Sequence, residues 1–287
     1  MNKAPHHVGV FLCLEPYTSL ENNLRLAHEY GFTHADITDT HSSGSMFASA
    51  GLSASVSLDD NPFDVRRTFE RHGMTIMTLS AHAILLEPSS PANYATAEIM
   101  KAIKFAAGAG IEYVITTETF AKSEWAKSLT YKEKVFIAAE KLYNPCRMAA
   151  DYGIKLCLEQ HGPLTDTIDG IGDIMDRLGN PDSLGVNLDT GNSWLGGTNP
   201  VDLAKKYHDK IYHVHWKDLG EEWLPKRGKV FGCGFSTIEV GTGCIDVAGV
   251  IDVLKDNANI KYSTLEVGGS AELLRRSAKY IEDRWNA

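Results

Sequence analysis

The stretch Ile211-Tyr-His-Val-His-Trp-Lys-Asp218 alternates its side chains with a period of two. That period belongs to a β-strand, whose successive side chains point to opposite faces. Tyr212, Val214 and Trp216 then share one face, and His213, His215 and Lys217 the other. Three polar groups on one side of a buried strand need partners, because an unpaired buried polar group is costly. Where those partners lie depends on what the strand is part of.

Seven similar runs precede or follow it: VGVFLCL (8–14), THADIT (33–38), MTIMTLS (74–80), EYVITT (112–117), IKLCLE (154–159), LGVNLD (184–189) and KYSTLE (261–266). Helical spacing follows each run. Ser19 opens a helix with Leu20, Leu24 and Ala27 on one face, and Gly31 stands where a C-terminal cap belongs. Asn61-Pro62 and Asn199-Pro200 each put a cap residue before a proline at the first helical position. Thr130-x-x-Glu133 is a capping box, and Ser270 precedes Leu274, Ala278, Ile281 and Trp285. Pro145 falls inside the helix that starts at Thr130 and predicts a kink or break there.

Eight βα pairs with no linker or change of composition predict an α/β fold, a single (β/α)8 TIM barrel spanning residues 1–287. Long loops are expected after strands 2 and 7. Residues 39–61 are rich in serine and glycine and carry Met46, Phe47 and Leu52. Residues 218–245 hold Trp223, Lys226, Arg227, Phe231 and Phe235 among six glycines. Both leave the C-terminal face, where barrels keep their sites, and the second reads as a substrate-covering lid.

The chain has 28 Lys+Arg against 37 Asp+Glu, a net charge of −9, which opposes a nucleic-acid partner. No apolar run is long enough for a membrane span, and Glu15 interrupts the N-terminal apolar stretch before it resembles a signal peptide. Five dispersed cysteines (13, 146, 157, 233, 244) without a C-x-x-C fit a reduced, cytoplasmic protein, with Cys13 and Cys157 as buried strand residues.

A closed barrel gathers its strand ends on one rim. Those ends are His82, Glu118, Glu159, Asp189, His215 and Glu266. Singly, each has a bland reading as a helix cap, a surface charge or a satisfied core group; His213, one step deeper, reads as such a core histidine. Together, carboxylates and an imidazole crowded in apolar surroundings need a counter-ion. One divalent metal supplies it, and Mn²⁺, Mg²⁺, Co²⁺ or Zn²⁺ all suit mostly oxygen donors plus one imidazole, a choice that geometry alone leaves open.

At these positions the whole chain, most clearly residues 154–267, resembles the sugar isomerase/epimerase superfamily of xylose-isomerase-like TIM barrels. The resemblance implies metal ligands at Glu159 (LCLEQHG), Asp189 (VNLDTGN), His215 (HVHWKD) and Glu266 (STLEVGG). The segments LEQHGP, STIEVGTGCID and LSAH look most like 3-keto-sugar eliminases of the levoglucosan pathway and C-glycoside deglycosidase catalytic subunits. LSAH is also similar to inosose dehydratases. Ketose 3-epimerases carry a histidine where this chain has Asn192.

That resemblance implies a metal-dependent enzyme that removes a proton next to a carbonyl and cleaves 3-keto-glycosides by β-elimination. Glu159 or His161 would be the base and Glu266 would assist the departing group. His82, Glu118, Asn192, Lys217 and Arg227 would contact substrate. The alternatives are a ketose 3-epimerase or aldose-ketose isomerase, an inosose-dehydratase-like enzyme, and a non-catalytic sugar-binding barrel subunit. An endonuclease IV reading lacks histidines and the basic charge. A small sugar is the expected partner, with a homo-oligomer or a small second subunit in keeping with the family.

Overall fold

In the computed structural model, residues 5–41, 51–87, 94–119, 123–232 and 238–287 are described. Eight parallel strands close into a barrel in sequence order. They are β1 (His7–Phe11), β2 (His34–Thr38), β3 (Thr75–Ser80), β4 (Tyr113–Thr116), β5 (Lys155–Leu158), β6 (Leu184–Asp189), β7 (Ile211–Trp216) and β8 (Tyr262–Leu265). The pairing of β1 with β8 completes the ring.

Strand alternation divides the protein into two interiors. Outward side chains such as Val10, Ile37, Leu79, Leu156, Leu158, Val214 and Trp216 pack under the helices in one continuous apolar cluster. At about 25 cal/mol per Å² of apolar surface removed from water, that layer stabilises the fold. Inward positions are mostly polar: Asp36, Thr78, Ser80, Asn187, His213, His215 and Thr264 are all buried.

The helices that cover the barrel begin as their caps dictate. In α1 (Leu20–Glu29), Ser19 accepts from Asn22 N. Asn61 caps α2 (Pro62–Arg71). After α3 (Tyr94–Ala109) and the short α4 (Glu124–Ser128), the capping box at Thr130 and Glu133 opens α5 (Tyr131–Tyr152).

Pro145 does not break α5, which runs through it for 22 residues. A proline leaves the carbonyl four residues earlier without its donor. Here that carbonyl, Lys141 O, accepts from Thr96 Oγ1 of α3 at 2.7 Å. Leu142, Pro145, Cys146 and Ala149 are buried along the same face. Neighbouring structure supplies the missing bond, so tertiary packing overrides the local preference.

The ring of helices continues with α6 (Ile168–Arg177), α7 (Thr190–Leu195), α8 (Pro200–Lys206), α9 (Val247–Leu254) and α10 (Ala271–Trp285). No helix among the described residues is long and apolar enough to cross a membrane.

Both long loops follow β2 and β7. After β2 the chain returns as a bridge between Asp39 and Val56; Met46 and Phe47 lie outside the described residues. After β7, Asp218 accepts from the backbone amides of Leu219, Gly241, Gly243 and Ile245 at 2.8–3.2 Å, which ties the two ends of that loop together. Cys157 is buried within β5, whereas Cys13 lies past the end of β1 and is half-buried. Cys233 and Phe235 lie outside the described residues.

Candidate metal centre and active site

Glu159 follows β5, Asp189 ends β6, His215 is the penultimate residue of β7, and Glu266 follows β8. Register sets Asp189 beside His215, and His215 beside Thr264. One donor atom from each of Glu159, Asp189, His215 and Glu266 lies within 4.8 Å of the others, and all four residues are buried.

The imidazole of His215 is aimed by both of its nitrogens. Nε2 lies 3.0 Å from Asp36 Oδ2 on β2, and Nδ1 lies 2.6 Å from Glu159 Oε1 and 3.3 Å from Glu266 Oε2. A carboxylate behind a ligating histidine fixes its tautomer and raises its basicity. Asp36 also holds His213 Nε2 at 3.1 Å and accepts from Thr264 Oγ1 at 2.7 Å. The sequence reading missed Asp36. Its signal was an acidic residue at an inward position of the apolar run THADIT, where a charge needs a reason.

Lys217 is fully buried, with Nζ 2.6 Å from Asp189 Oδ2 and 2.5 Å from Glu266 Oε2. Burial would raise the Glu266 carboxyl, but Lys217 and His215 overcome it and hold it down at about 2. Burial and the nearby carboxylates push Asp189 up to about 7 despite the lysine. Burial would lower His215, but Glu159 and Glu266 lift it well above the usual imidazole range. Protons therefore stand in for positive charge that this cluster calls for.

The donor set fits a divalent ion. Three carboxylates and one imidazole converge, with one donor atom of each within 4.8 Å of the others. Oxygen-rich donors with one imidazole suit Mg²⁺, Mn²⁺, Co²⁺ or Zn²⁺.

Around this set the other expected site residues divide. His82, two residues past β3, brings Nε2 to 2.8 Å from Glu159 Oε2. His161 Nε2 lies 3.4 Å from the same oxygen and 2.9 Å from Asn192 Nδ2. Asn192 Nδ2 also donates to Asp189 Oδ2 at 3.0 Å. A carboxylate accepts only, so Asp189 orients the amide with its nitrogen inward. His161 Nε2 thus sits between the Asn192 amide nitrogen and Glu159 Oε2 at the mouth of the barrel.

Two expected substrate contacts lie elsewhere. Glu118 is fully buried and accepts from Leu164 N and Thr165 N at 2.5–3.1 Å, so both its oxygens face the loop after β5. It positions that loop, where Thr165 Oγ1 in turn accepts from His161 N at 3.1 Å. Gly162 is needed for this approach, since a Cβ there would meet Glu118 Oε1 at 2.6 Å. Arg227 is exposed and stacks on Trp194 at 5.1 Å, with Nε donating to Trp194 O. Its loop thus rests on α7 rather than reaching the four donors.

A family model described as xylose isomerase-like TIM barrel matches residues 24–284. The chain belongs to that family. It is 27% identical over 166 residues to the inosose dehydratase of Clostridium beijerinckii, covering 53% of this chain and 55% of that protein. The chain thus spans about half the length of the curated relative it matches. Among solved structures, the IolI protein with a bound zinc atom superposes with a TM-score of 0.70 at 16% identity, covering 97% of this chain and 95% of that one. The 3-keto-D-glucoside 4-epimerase YcjR of E. coli gives 0.68 at 14% identity, covering 97% of each. At such identities these structures show the fold.

Proposed function

We propose that the protein is a divalent-metal-dependent lyase that removes a proton next to the carbonyl of a 3-keto-glycoside and expels the group at the β carbon. The observation that carries this reading is the His161 imidazole held beside the four-donor set, with Nε2 2.9 Å from Asn192 Nδ2 and 3.4 Å from Glu159 Oε2. Glu159, Asp189, His215 and Glu266 would hold the ion, with Mn²⁺ the expected occupant. When bound, such an ion stabilises negative charge developing on a substrate oxygen.

His161 accepts the C2 proton. The electron pair of the broken C–H bond forms the new double bond, and the glycosidic bond at C1 breaks with its pair leaving on the departing group. Lys217, paired with Glu266, faces the keto oxygen and polarises it; Glu266 assists the departing group. Asn192 orients the base. A small sugar is the partner.

A second reading is inosose-dehydratase-like loss of water from a keto-polyol ring, favoured by the curated relatives. Both are β-eliminations and differ in the leaving group. Incubating metal-loaded protein in D₂O with a 3-keto-glucoside, an inosose and free ketoses separates them. An unsaturated keto product with release of the aglycone is expected. Configurational inversion without elimination would instead mean an epimerase, and binding without turnover a sugar-binding subunit. His161→Ala should lower elimination by about 10²–10⁴-fold, as for loss of a general base; elimination at the wild-type rate removes His161 as base.

A further inference from the structure

We propose that the outer face of α5 is a contact between two copies of this chain, paired antiparallel about a two-fold axis. A helix on the outside of a barrel turns polar side chains to solvent. Here five of the nine large apolar residues exposed among the described residues, Trp125, Tyr131, Phe136, Tyr143 and Tyr152, lie on α4 and α5. Phe136 and Tyr143 stand two turns apart on one exposed stripe with Glu140, Arg147 and Ala150. The other side of the helix is already committed to the core through Val135, Ala138, Leu142, Cys146 and Ala149.

The two rings are only partly covered by their own chain. Arg147 lies over Tyr143 at 5.8 Å, and Arg177 of α6 lies over Phe136 at 4.4 Å. A guanidinium hides one face of a ring, and Phe136 and Tyr143 remain 47% and 52% exposed. Glu140, Arg147, Asp151 and Arg177 form no ion pair among the described residues. The stripe therefore offers unpaired charges of both signs around two open aromatic rings.

These charges are complementary to themselves. A two-fold axis passing between Tyr143 and Asn144 sets residues equally distant from it against one another, as an isologous contact requires. Glu140 lies three residues before Tyr143 and Arg147 three after Asn144, so each Glu140 meets Arg147 of the second copy. Phe136 lies seven before Tyr143 and Asp151 seven after Asn144, so the ring faces the turn holding Ala150 and Asp151. Ala150 is small enough to receive the ring, and Asp151 meets the Arg177 that stands over it. Tyr143 packs across the axis. The contact has an aromatic centre and a charged rim, and Tyr, Phe and Arg are the residues that interface centres favour. One helix face with its rim is smaller than the about 1,200–2,000 Å² of a stable complex. The dimer is therefore reversible, with a dissociation constant of about 1–100 µM.

Sedimentation velocity of the full chain across that concentration range tests the pairing without substrate or metal. The mass should rise from 31.5 kDa towards twice that value with concentration. Glu140→Arg and Arg147→Glu each set like charges face to face and should weaken the dimer at least about tenfold. Tyr143→Ala should do the same by removing the central ring. Glu140→Arg combined with Arg147→Glu restores opposite charges and should restore the dimer. A wild-type chain that stays at 31.5 kDa throughout leaves the stripe to a different partner and overturns the proposal. A dimer that both single reversals leave intact, or a double reversal no stronger than the singles, overturns it as well.

Discussion

Among single residues, Asp36 shows how a buried carboxylate acts through a neighbour. Burial alone would raise its carboxyl, but His213 and His215 hold it well below the usual range. It therefore stays charged and keeps Nδ1 of His215 turned to the four-donor set. Asp36→Asn should weaken divalent-metal binding about 10–100-fold, as loss of such a partner does elsewhere. Calorimetric titration measures it; unchanged affinity would mean that register alone orients His215. His213 is fully buried as expected of a core histidine, with Nε2 2.8 Å from Thr264 Oγ1, but its Nδ1 makes no hydrogen bond among the described residues. The strand pattern of β7 was enough to place His213, His215 and Lys217 on the inner side. It carried nothing about Asp36, because the contact joins residues 179 apart in sequence.

The loop after β7 is an element closed at its base by one side chain. Asp218 is fully buried and accepts from four backbone amides. Gly243 permits the approach, as a Cβ there would meet Asp218 Oδ1 at 2.3 Å. Each buried amide left without an acceptor costs about 1–3 kcal/mol. Asp218→Ala is therefore expected to lower stability by about 3 kcal/mol or more in urea unfolding. Limited proteolysis should then cut first within residues 219–245. Cleavage elsewhere would show that contacts with α7, such as Gly228 N to Leu195 O at 2.7 Å, anchor the loop instead. The length of this loop and its glycines were legible in the sequence. Its docking on α7 through Arg227 was not, because a loop's path depends on which distant segment it meets.

For the molecule as a whole, folding stability should carry the mark of a carboxyl that no active-site reading uses. Asp166 is fully buried under the loop after β5, with Oδ2 unpartnered and Oδ1 accepting from Gly162 N at 3.3 Å. Burial and the nearby Glu118 push it from 3.8 up to about 9. The folded state therefore holds a proton that the unfolded chain releases. Its contribution is fully present below pH 3.8 and is lost as pH rises towards about 9. Asp166→Asn should be more stable than wild type by on the order of a few kcal/mol at pH 8, with the gap closing at pH 4. Denaturant unfolding across that range checks it, and a gap that does not change with pH would mean Asp166 is not protonated in the fold.

The sequence by itself pointed to the barrel and to six polar strand ends, of which the family resemblance singled out four as metal ligands. Period-two strands, capped helices and strand-end carboxylates are local patterns, and eight βα pairs in one chain most economically close into a ring. Tertiary structure decided what locality cannot reach. It turned Glu118 to the amides of Leu164 and Thr165, ran α5 through Pro145 by lending it Thr96, and set Asp36 behind His215. Each of these is a hydrogen bond between distant segments, available only once the barrel has closed, and buried polar groups take whichever partner the closed fold brings within reach.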